Sequence, residues 1–175
     1  NPYTQEAHAM FQRLQFKNML SRFDVEAVSN QIEDVFREVT DPEEIKAVFR
    51  EAAQAERVGA AFSKDPGNVL PLFAHPSGFG RIALAWGEDS VVTIPCDMDT
   101  DMEALFGQVS EIAGKVKRFS MCGLKEALPY LPGAGRENAF DVIVAAYLLN
   151  PLKSDYNYED VAREHLNLMI DEKTD

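Results

Sequence analysis

Between residues 40 and 150 the apolar residues change their spacing several times, and this succession constrains the fold more than any other feature of the chain. The first segment has helical spacing. Asp41 stands where an N-cap acid is expected, Pro42 follows at the first helical position, and Glu44 would complete a capping box. The sequence therefore predicts a helix from residue 41, with a buried stripe formed by Ile45, Val48, Phe49 and Ala52.

Three short runs then have the spacing and composition of β-strands. Residues 58–62 form a short apolar run that is typical of a buried strand. Residues 81–86 and 90–94 are two further runs, and Gly87-Glu88-Asp89 between them favours a hairpin. We therefore expect 58–62 to be a central strand and the other two runs to pair with each other.

The second half of the chain alternates helices with a further strand. A helix is predicted from Asp101 to a stop at Gly114, followed by a strand at residues 116–121. Three more helices are expected: Leu124 to Tyr130, Asp141 to Leu149 before Asn150-Pro151, and one capped by Asn157 that turns Val161, Ala162, His165 and Leu166 inward. Strands and helices in this order predict an α/β fold, with a mixed sheet and helices packed on its faces.

Composition indicates an intracellular protein. No apolar run approaches the roughly 18 residues of a membrane-spanning helix, and the first residues have neither the basic segment nor the apolar core of a signal peptide. Two cysteines, Cys96 and Cys122, are too few to cross-link a domain of 175 residues, which favours a reducing compartment. We therefore expect a cytoplasmic location and no membrane partner.

The net charge limits what the isolated chain can bind. Its 29 acidic residues outnumber 17 lysines and arginines, for a formal net charge of -12, and no block of basic residues stands apart. Proteins that hold nucleic acid need cations to displace the counterions of the phosphates. We expect the isolated chain to bind DNA or RNA poorly, although it can belong to a larger nucleic-acid enzyme whose basic surface lies elsewhere.

The most specific stretch of the chain is Phe140-Asp141-Val142-Ile143-Val144-Ala145-Ala146-Tyr147-Leu148-Leu149-Asn150-Pro151. It resembles a helix in the 3′–5′ exonuclease domain of bacterial DNA polymerase I, a family A DNA polymerase. Residues 158–166, the hairpin end 92–95 and the opening residues 9–17 also resemble segments of that family, in the same order.

The resemblance implies a ribonuclease-H-like mixed sheet with flanking helices, and a division of the chain. Residues 1–30 would be the linker and helix at the junction with a 5′-nuclease part, and residues 31–175 would be the 3′–5′ exonuclease-like domain, cut before the polymerase domain. The partners would then be the 5′-nuclease and polymerase domains of the same chain. DNA would be contacted only through this parent enzyme, whose polymerase uses Mg²⁺.

The acids that such an exonuclease needs are missing from the matching positions. Active members of the family hold two divalent ions with a D-x-E pair on the first strand, an Asp one helical turn after an Asn, and a later Asp. Phe62 and Lys64 stand at the D-x-E positions, while Gly123 and Ala127 replace the Asn and the Asp. The later Asp would lie beyond residue 175. We therefore expect no intact catalytic residue, no metal and no cofactor in this chain.

Other polar residues have simpler explanations than a binding site. Alternating acids in residues 97–103 resemble a calcium loop, but Met102 and Gln108 stand where such a loop needs Gly and Glu. Acids in that position favour a helix N-terminus. Asp141 is likewise predicted to be an N-cap rather than a ligand.

The remaining reactive residues form no recognisable motif. His8, His75 and His165 lack zinc-like spacing with the cysteines. Cys122 has no visible basic partner that would make it a nucleophile. Residues 133–135, Gly-Ala-Gly, lack the third glycine of a dinucleotide fingerprint and are predicted to form a loop.

Three interpretations follow. The leading one is a degenerate exonuclease domain that holds the 5′-nuclease segment and the polymerase body at a fixed spacing during DNA replication and repair. The second is an active metal-dependent 3′–5′ exonuclease that uses unorthodox acids such as Asp65, Asp97 or Asp99. The third is a free-standing interaction domain whose terminal helix docks on a partner.

Overall fold

The structure of the protein is a computed structural model. It describes residues 36–64, 78–87, 90–135, 137–153 and 156–166, together with residues 7, 10, 11, 13 and 14 near the amino terminus. Residues 7, 10, 11 and 13 are helical. The rest of the predicted 1–30 segment lies outside the described residues.

A six-stranded mixed sheet forms the centre of the molecule. Its strands lie in the order β1-β4-β3-β2-β5-β6. β2 pairs antiparallel with β3 and β3 pairs antiparallel with β4, whereas the other three pairs are parallel. The strands are β1 (Phe36–Glu38), β2 (Arg57–Lys64), β3 (Phe79–Ala85), β4 (Val91–Pro95), β5 (Arg118–Met121) and β6 (Ala139–Asp141). The predicted central strand and the predicted hairpin are thereby confirmed.

Besides the helical residues near the amino terminus, five α-helices accompany the sheet in the described part of the chain: α1 (Pro42–Ala52), α2 (Met102–Lys115), α3 (Leu124–Ala127), α4 (Val142–Leu149) and α5 (Tyr158–Leu166). Their starts follow the predicted caps. The Asp41 carboxylate accepts hydrogen bonds of 3.0 Å from the backbone N–H groups of Glu43 and Glu44. Asp101 caps α2, and Asn157 caps α5 by accepting from the N–H of Asp160 at 2.8 Å.

The main core lies between one face of the sheet and helices α1 and α2. Alternate residues of β2, β3 and β4 are buried there, as a strand with one covered face requires. The most deeply buried large side chains are Phe119, Ile82, Leu84, Ile94, Leu131, Val39, Val48, Val58 and Val109. None of the described helices is long and apolar enough to cross a bilayer.

Several predicted boundaries are wrong. β1 and β6 were not predicted, because strands of three residues carry too little periodicity to be recognised. The predicted strand at 116–121 begins only at Arg118, and the predicted helix 124–130 changes to a 3₁₀ turn, Leu128–Tyr130, after α3. α2 continues past Gly114 to Lys115.

The last helix also differs from its predicted orientation. Val161 and Ala162 are buried, as expected, but His165 and Leu166 are exposed. These two residues lie in the final described turn of α5. The helical spacing of this segment therefore identified the buried stripe only in its first half.

Candidate functional site

β2 carries two of the three positions at which the resemblance predicts lost exonuclease acids. Phe62 pairs across the sheet with Ile82 of β3, and its side chain is half-buried. Val58 and Ala60 on the same strand are buried, so Phe62 lies on the sheet face that α1 and α2 cover. Lys64 is the last residue of β2, at a shift in register, and its side chain is exposed.

The rings of Phe62, Phe79, Phe106 and Tyr130 pack into one group, and we call these four residues the aromatic cluster. The Phe62 ring centroid lies 5.2 Å from that of Phe106 in α2 and 5.9 Å from that of Phe79 in β3, both edge to face. The Tyr130 ring stacks on Phe106 at 4.8 Å and meets Phe79 edge-on at 5.3 Å. Aromatic pairs in such geometries contribute about 0.5–1.5 kcal/mol each beyond the area they bury.

The third position, Ala127, ends α3 and is 5% exposed. α3 begins after Gly123, whose φ of 71° lies in the left-handed region that favours glycine. Tyr130 of the aromatic cluster follows Ala127 by three residues. The structure therefore brings Phe62 into the aromatic cluster and places Ala127 one turn before its fourth ring. Glu126, next to Ala127, is exposed.

The residues at these positions do not fit a divalent ion. Mg²⁺ and its analogues require oxygen ligands, above all carboxylates, whereas the chain offers a phenyl ring, an ammonium group and a methyl group. An ammonium group near the site would repel a dication. Among the described residues, no three His, Cys, Asp or Glu side chains lie close enough together to hold a metal ion. The expected lack of metal binding stays a prediction until binding is measured.

The Asp141 side chain links the start of α3 to the start of α4, the helix that follows β6. One of its carboxylate oxygens accepts from the N–H groups of Ile143 at 2.9 Å and Val144 at 3.3 Å, which confirms the predicted N-cap of α4. The same carboxylate accepts from Leu124 at 2.8 Å and Gly123 at 3.3 Å. This second contact, absent from the sequence prediction, connects two helix starts through one side chain.

The alternating acids of residues 97–103 form a turn and a helix cap. Asp97 accepts from the hydroxyl of Thr100 at 2.7 Å and from the N–H of Asp99 at 3.1 Å. The hydrogen bond from Thr100 is the main reason that the pKa of Asp97 lies below its usual value. Asp101 accepts from the N–H of Ala104 at 2.9 Å. The prediction that these acids favour a helix N-terminus is confirmed for Asp101.

The thiols show no sign of activation. Burial raises the pKa of Cys122, and the nearby Asp141 charge raises it further. Burial also raises the pKa of Cys96, whose Sγ lies 3.6 Å from the carbonyl oxygen of Ile94. His165 is exposed, while Asp65, His8 and His75 lie outside the described residues. The loop interpretation of Gly133 to Gly135 is confirmed.

Solved structures of several nucleases share this fold. The EXO domain of Aedes aegypti Nibbler matches with a TM-score of 0.55 and 14% identity, over 79% of this chain and 72% of that one. RNase D of Trypanosoma brucei in complex with GMP gives 0.59 and 12%, over 81% and 45%. Escherichia coli RNase D, an exoribonuclease involved in structured RNA processing, gives 0.54 and 13%, over 78% and 34%.

These comparisons establish the fold. The mixed sheet with flanking helices is the ribonuclease-H-like exonuclease fold, so the predicted fold class is confirmed. The chain spans about a third of the E. coli RNase D chain and less than half of the T. brucei one. No protein-family model matches the chain, and no curated protein sequence matches it significantly.

Proposed function

We propose that this chain is a degenerate 3′–5′ exonuclease domain of a bacterial DNA polymerase I, with a structural role in DNA replication and repair. The observation that carries the proposal is the aromatic cluster. Phe62 stands where the first metal-binding Asp is expected, and its ring packs against Phe106 and Phe79 instead of facing an open, polar site. The resemblance of residues 140–151 to the polymerase family supports the polymerase origin.

Electrostatics support the loss of activity. A nuclease site must attract both metal ions and a phosphodiester backbone. Lys64 places a cation where the resemblance predicts the Glu of the D-x-E pair, and the net charge of -12 opposes the approach of a polyanion. DNA and Mg²⁺ are then bound by other parts of the parent enzyme, and residues 31–175 serve as a spacer between its 5′-nuclease and polymerase domains.

The competing interpretation is an active exonuclease that uses unorthodox acids. Its best described candidates are Asp97 and Asp99. However, the Oδ1 atom of Asp97 already accepts two hydrogen bonds within its own turn. This use of the carboxylate favours a role in the turn.

An exonuclease assay tests the proposal. The wild-type chain is incubated with 5′-labelled single-stranded DNA or RNA and with Mg²⁺ or Mn²⁺. We expect no shortening above background, because loss of even one group from a preorganised catalytic set costs roughly a hundredfold in rate. A matched variant, Asp97→Asn with Asp99→Asn, controls for contaminating nuclease. Steady 3′ shortening by the wild type that disappears in this variant would establish the active-site alternative.

The polymerase origin has a separate test, the reading frame that continues after residue 175. The proposal requires it to encode a later catalytic-motif region followed by a polymerase domain. A stop codon directly after residue 175 in the gene would instead support the free-standing interaction domain.

A further inference from the structure

Two arginines lie side by side on the sheet face opposite α1 and α2. Arg57 of β2 and Arg118 of β5 are direct partners in the parallel pairing of these strands. The residues that follow them, Val58 and Phe119, are both buried in the main core, so the two arginine side chains leave the sheet on its other face. Neighbouring strands are about 4.8 Å apart, and both arginines are exposed.

This arginine pair lacks the carboxylate partner that half of the twelve described basic side chains have. Six described lysines and arginines each form an ion pair: Arg37, Lys46, Arg81, Lys115, Lys117 and Lys153. Within the described ranges no carboxylate oxygen lies within 4 Å of Arg57 or Arg118. The neighbouring acid Glu56 pairs with Lys117 at 2.5 Å, and the Arg57 charge contributes less than Lys117 to the lowered pKa of Glu56.

Two like charges at paired positions of a sheet repel each other. The repulsion is notable in a chain with 29 acidic residues and 17 basic ones, since an acid at either position would remove it. An anion bound between the two guanidinium groups would offset the repulsion.

Arg118 is held in place for such a role. Its Cζ atom lies 5.2 Å from the centroid of the Phe140 ring, a cation–π contact that orients the guanidinium plane. Ala61 and Ser63, farther along the same face of β2, are small and exposed, so they leave the surface beside the pair accessible.

We propose that Arg57 and Arg118 together bind a phosphate monoester. One guanidinium group already matches both oxygens of a carboxylate with two parallel hydrogen bonds, which would leave the second arginine unsatisfied. A phosphate monoester has three terminal oxygens and a charge of about -1.5 to -2 at neutral pH, which suits two arginine forks and their two positive charges. The source we favour is the terminal phosphate of a nucleic-acid strand whose remaining length is held by other domains of the parent enzyme, since the net charge of -12 opposes capture of a long strand by this chain. This choice of source rests on the proposed function.

The phosphate site is tested by NMR titration of the wild-type chain with inorganic phosphate at constant ionic strength. The backbone amide signals of residues 57–59 and 118–120 should shift together and saturate. Arg57→Gln and Arg118→Gln should each weaken phosphate binding by roughly tenfold, since each removes charge-assisted hydrogen bonds. Arg57→Lys keeps the positive charge but cannot form the two parallel hydrogen bonds of a guanidinium group, so it should bind phosphate with intermediate affinity.

The matched control is Arg50→Gln, the same change at an exposed arginine of α1, which should leave phosphate binding unchanged. Equal weakening by Arg50→Gln, or no saturable shift at residues 57–59 and 118–120, would overturn the site. Thermal melts of each variant separate loss of binding from loss of folding.

Three further ligands identify the source of the phosphate: a trinucleotide with a 5′-phosphate, the same trinucleotide with a 5′-hydroxyl, and a phosphoserine peptide. We expect only the 5′-phosphorylated strand to bind like inorganic phosphate or more tightly. Equal binding of the 5′-hydroxyl strand, or tighter binding of the phosphopeptide, would overturn the nucleic-acid source. No step of this test measures nuclease activity, so its failure is distinct from failure of the proposed function.

Discussion

Replacement of Gly133 by alanine tests a close backbone approach between α2 and the loop after the 3₁₀ turn. A Cβ atom at residue 133 would lie 2.2 Å from the carbonyl oxygen of Ser110, a backbone atom. α2 or the loop must therefore move, and such overpacking costs about 1–3 kcal/mol. The movement also weakens the 2.7 Å hydrogen bond from the Gly133 N–H to the Ser110 hydroxyl, worth about 0.5–1.5 kcal/mol.

Together these effects lower the free energy of unfolding by about 1.5–4.5 kcal/mol. For a domain of this size each kcal/mol corresponds to about 2–4 °C in Tm, so we expect Tm to fall by about 3–18 °C. Urea unfolding followed by circular dichroism measures the free energy, and a thermal melt measures Tm.

The matched control is Gly107→Ala in α2, the helix that contains Ser110, because a Cβ added at residue 107 meets no atom within 4 Å. Alanine at a helical position should stabilise the protein by about 0.5–1 kcal/mol, because it removes backbone freedom from the unfolded chain. A Gly133→Ala protein that unfolds at the same urea concentration and temperature as the wild type would refute the packing argument.

Three other predictions follow from the site. Phe62→Asp should lower the free energy of unfolding by more than about 3 kcal/mol, because it removes one ring of the aromatic cluster and places a carboxylate among the other three. Urea unfolding measures this loss, and the control Phe62→Leu should lose less. Asp141→Ala should cost about 1–3 kcal/mol in the same assay, because it uncaps α4 and frees the N–H groups of the α3 start, and a loss no larger than that of an exposed Glu126→Ala control would contradict the double-cap role. Because the pKa of Cys122 lies above the ordinary cysteine value of 9.0, its side chain is a neutral thiol near neutral pH. Iodoacetamide should therefore alkylate Cys122 more slowly than it alkylates a cysteine peptide at that pH. The Asp141→Asn variant, which lacks the nearby negative charge, should be alkylated faster than the wild type.

Features with local causes were predictable from the sequence. The caps at Asp41, Asp101, Asp141 and Asn157 each depend on a side chain and on N–H groups two or three residues away. The hairpin likewise depends on two adjacent runs and the turn between them. β1 and β6 were not predictable, because only their pairing with β4 and β5 makes those three-residue segments strands.

Features that join distant segments were missed or misinterpreted. Gly114 was predicted to end α2, yet it lies inside the helix, where an added Cβ would be 3.1 Å from the carbonyl oxygen of Gly133. Glycine is there for close packing, and no local pattern distinguishes this cause from a helix stop. The second contact of Asp141, with Gly123 and Leu124, also depends on tertiary placement.

The candidate site also has features that the sequence predicts and features that only the tertiary structure reveals. The family resemblance predicts Phe62, Lys64 and Ala127 to be degenerate positions, but it does not indicate which side chains fill the space around them. Phe79, Phe106 and Tyr130 come from a strand, a helix and a 3₁₀ turn that are far apart in sequence. The sequence places Phe106 in one predicted helix and Tyr130 at the end of another, and no local pattern indicates that these rings pack together with Phe79 beside Phe62.

The central claim is that no catalytic metal ion is held either at Phe62, Lys64 and Ala127 or at the alternative acids Asp97 and Asp99. The most direct test is an electron paramagnetic resonance titration of the wild-type chain with Mn²⁺, in which free and bound ions are distinguished. The account predicts the spectrum of free Mn²⁺ until millimolar concentrations, where exposed acids bind weakly and without defined stoichiometry. A micromolar site of one or two Mn²⁺ per chain that is lost in Asp97→Asn with Asp99→Asn would contradict it and would show that the chain retains a metal centre.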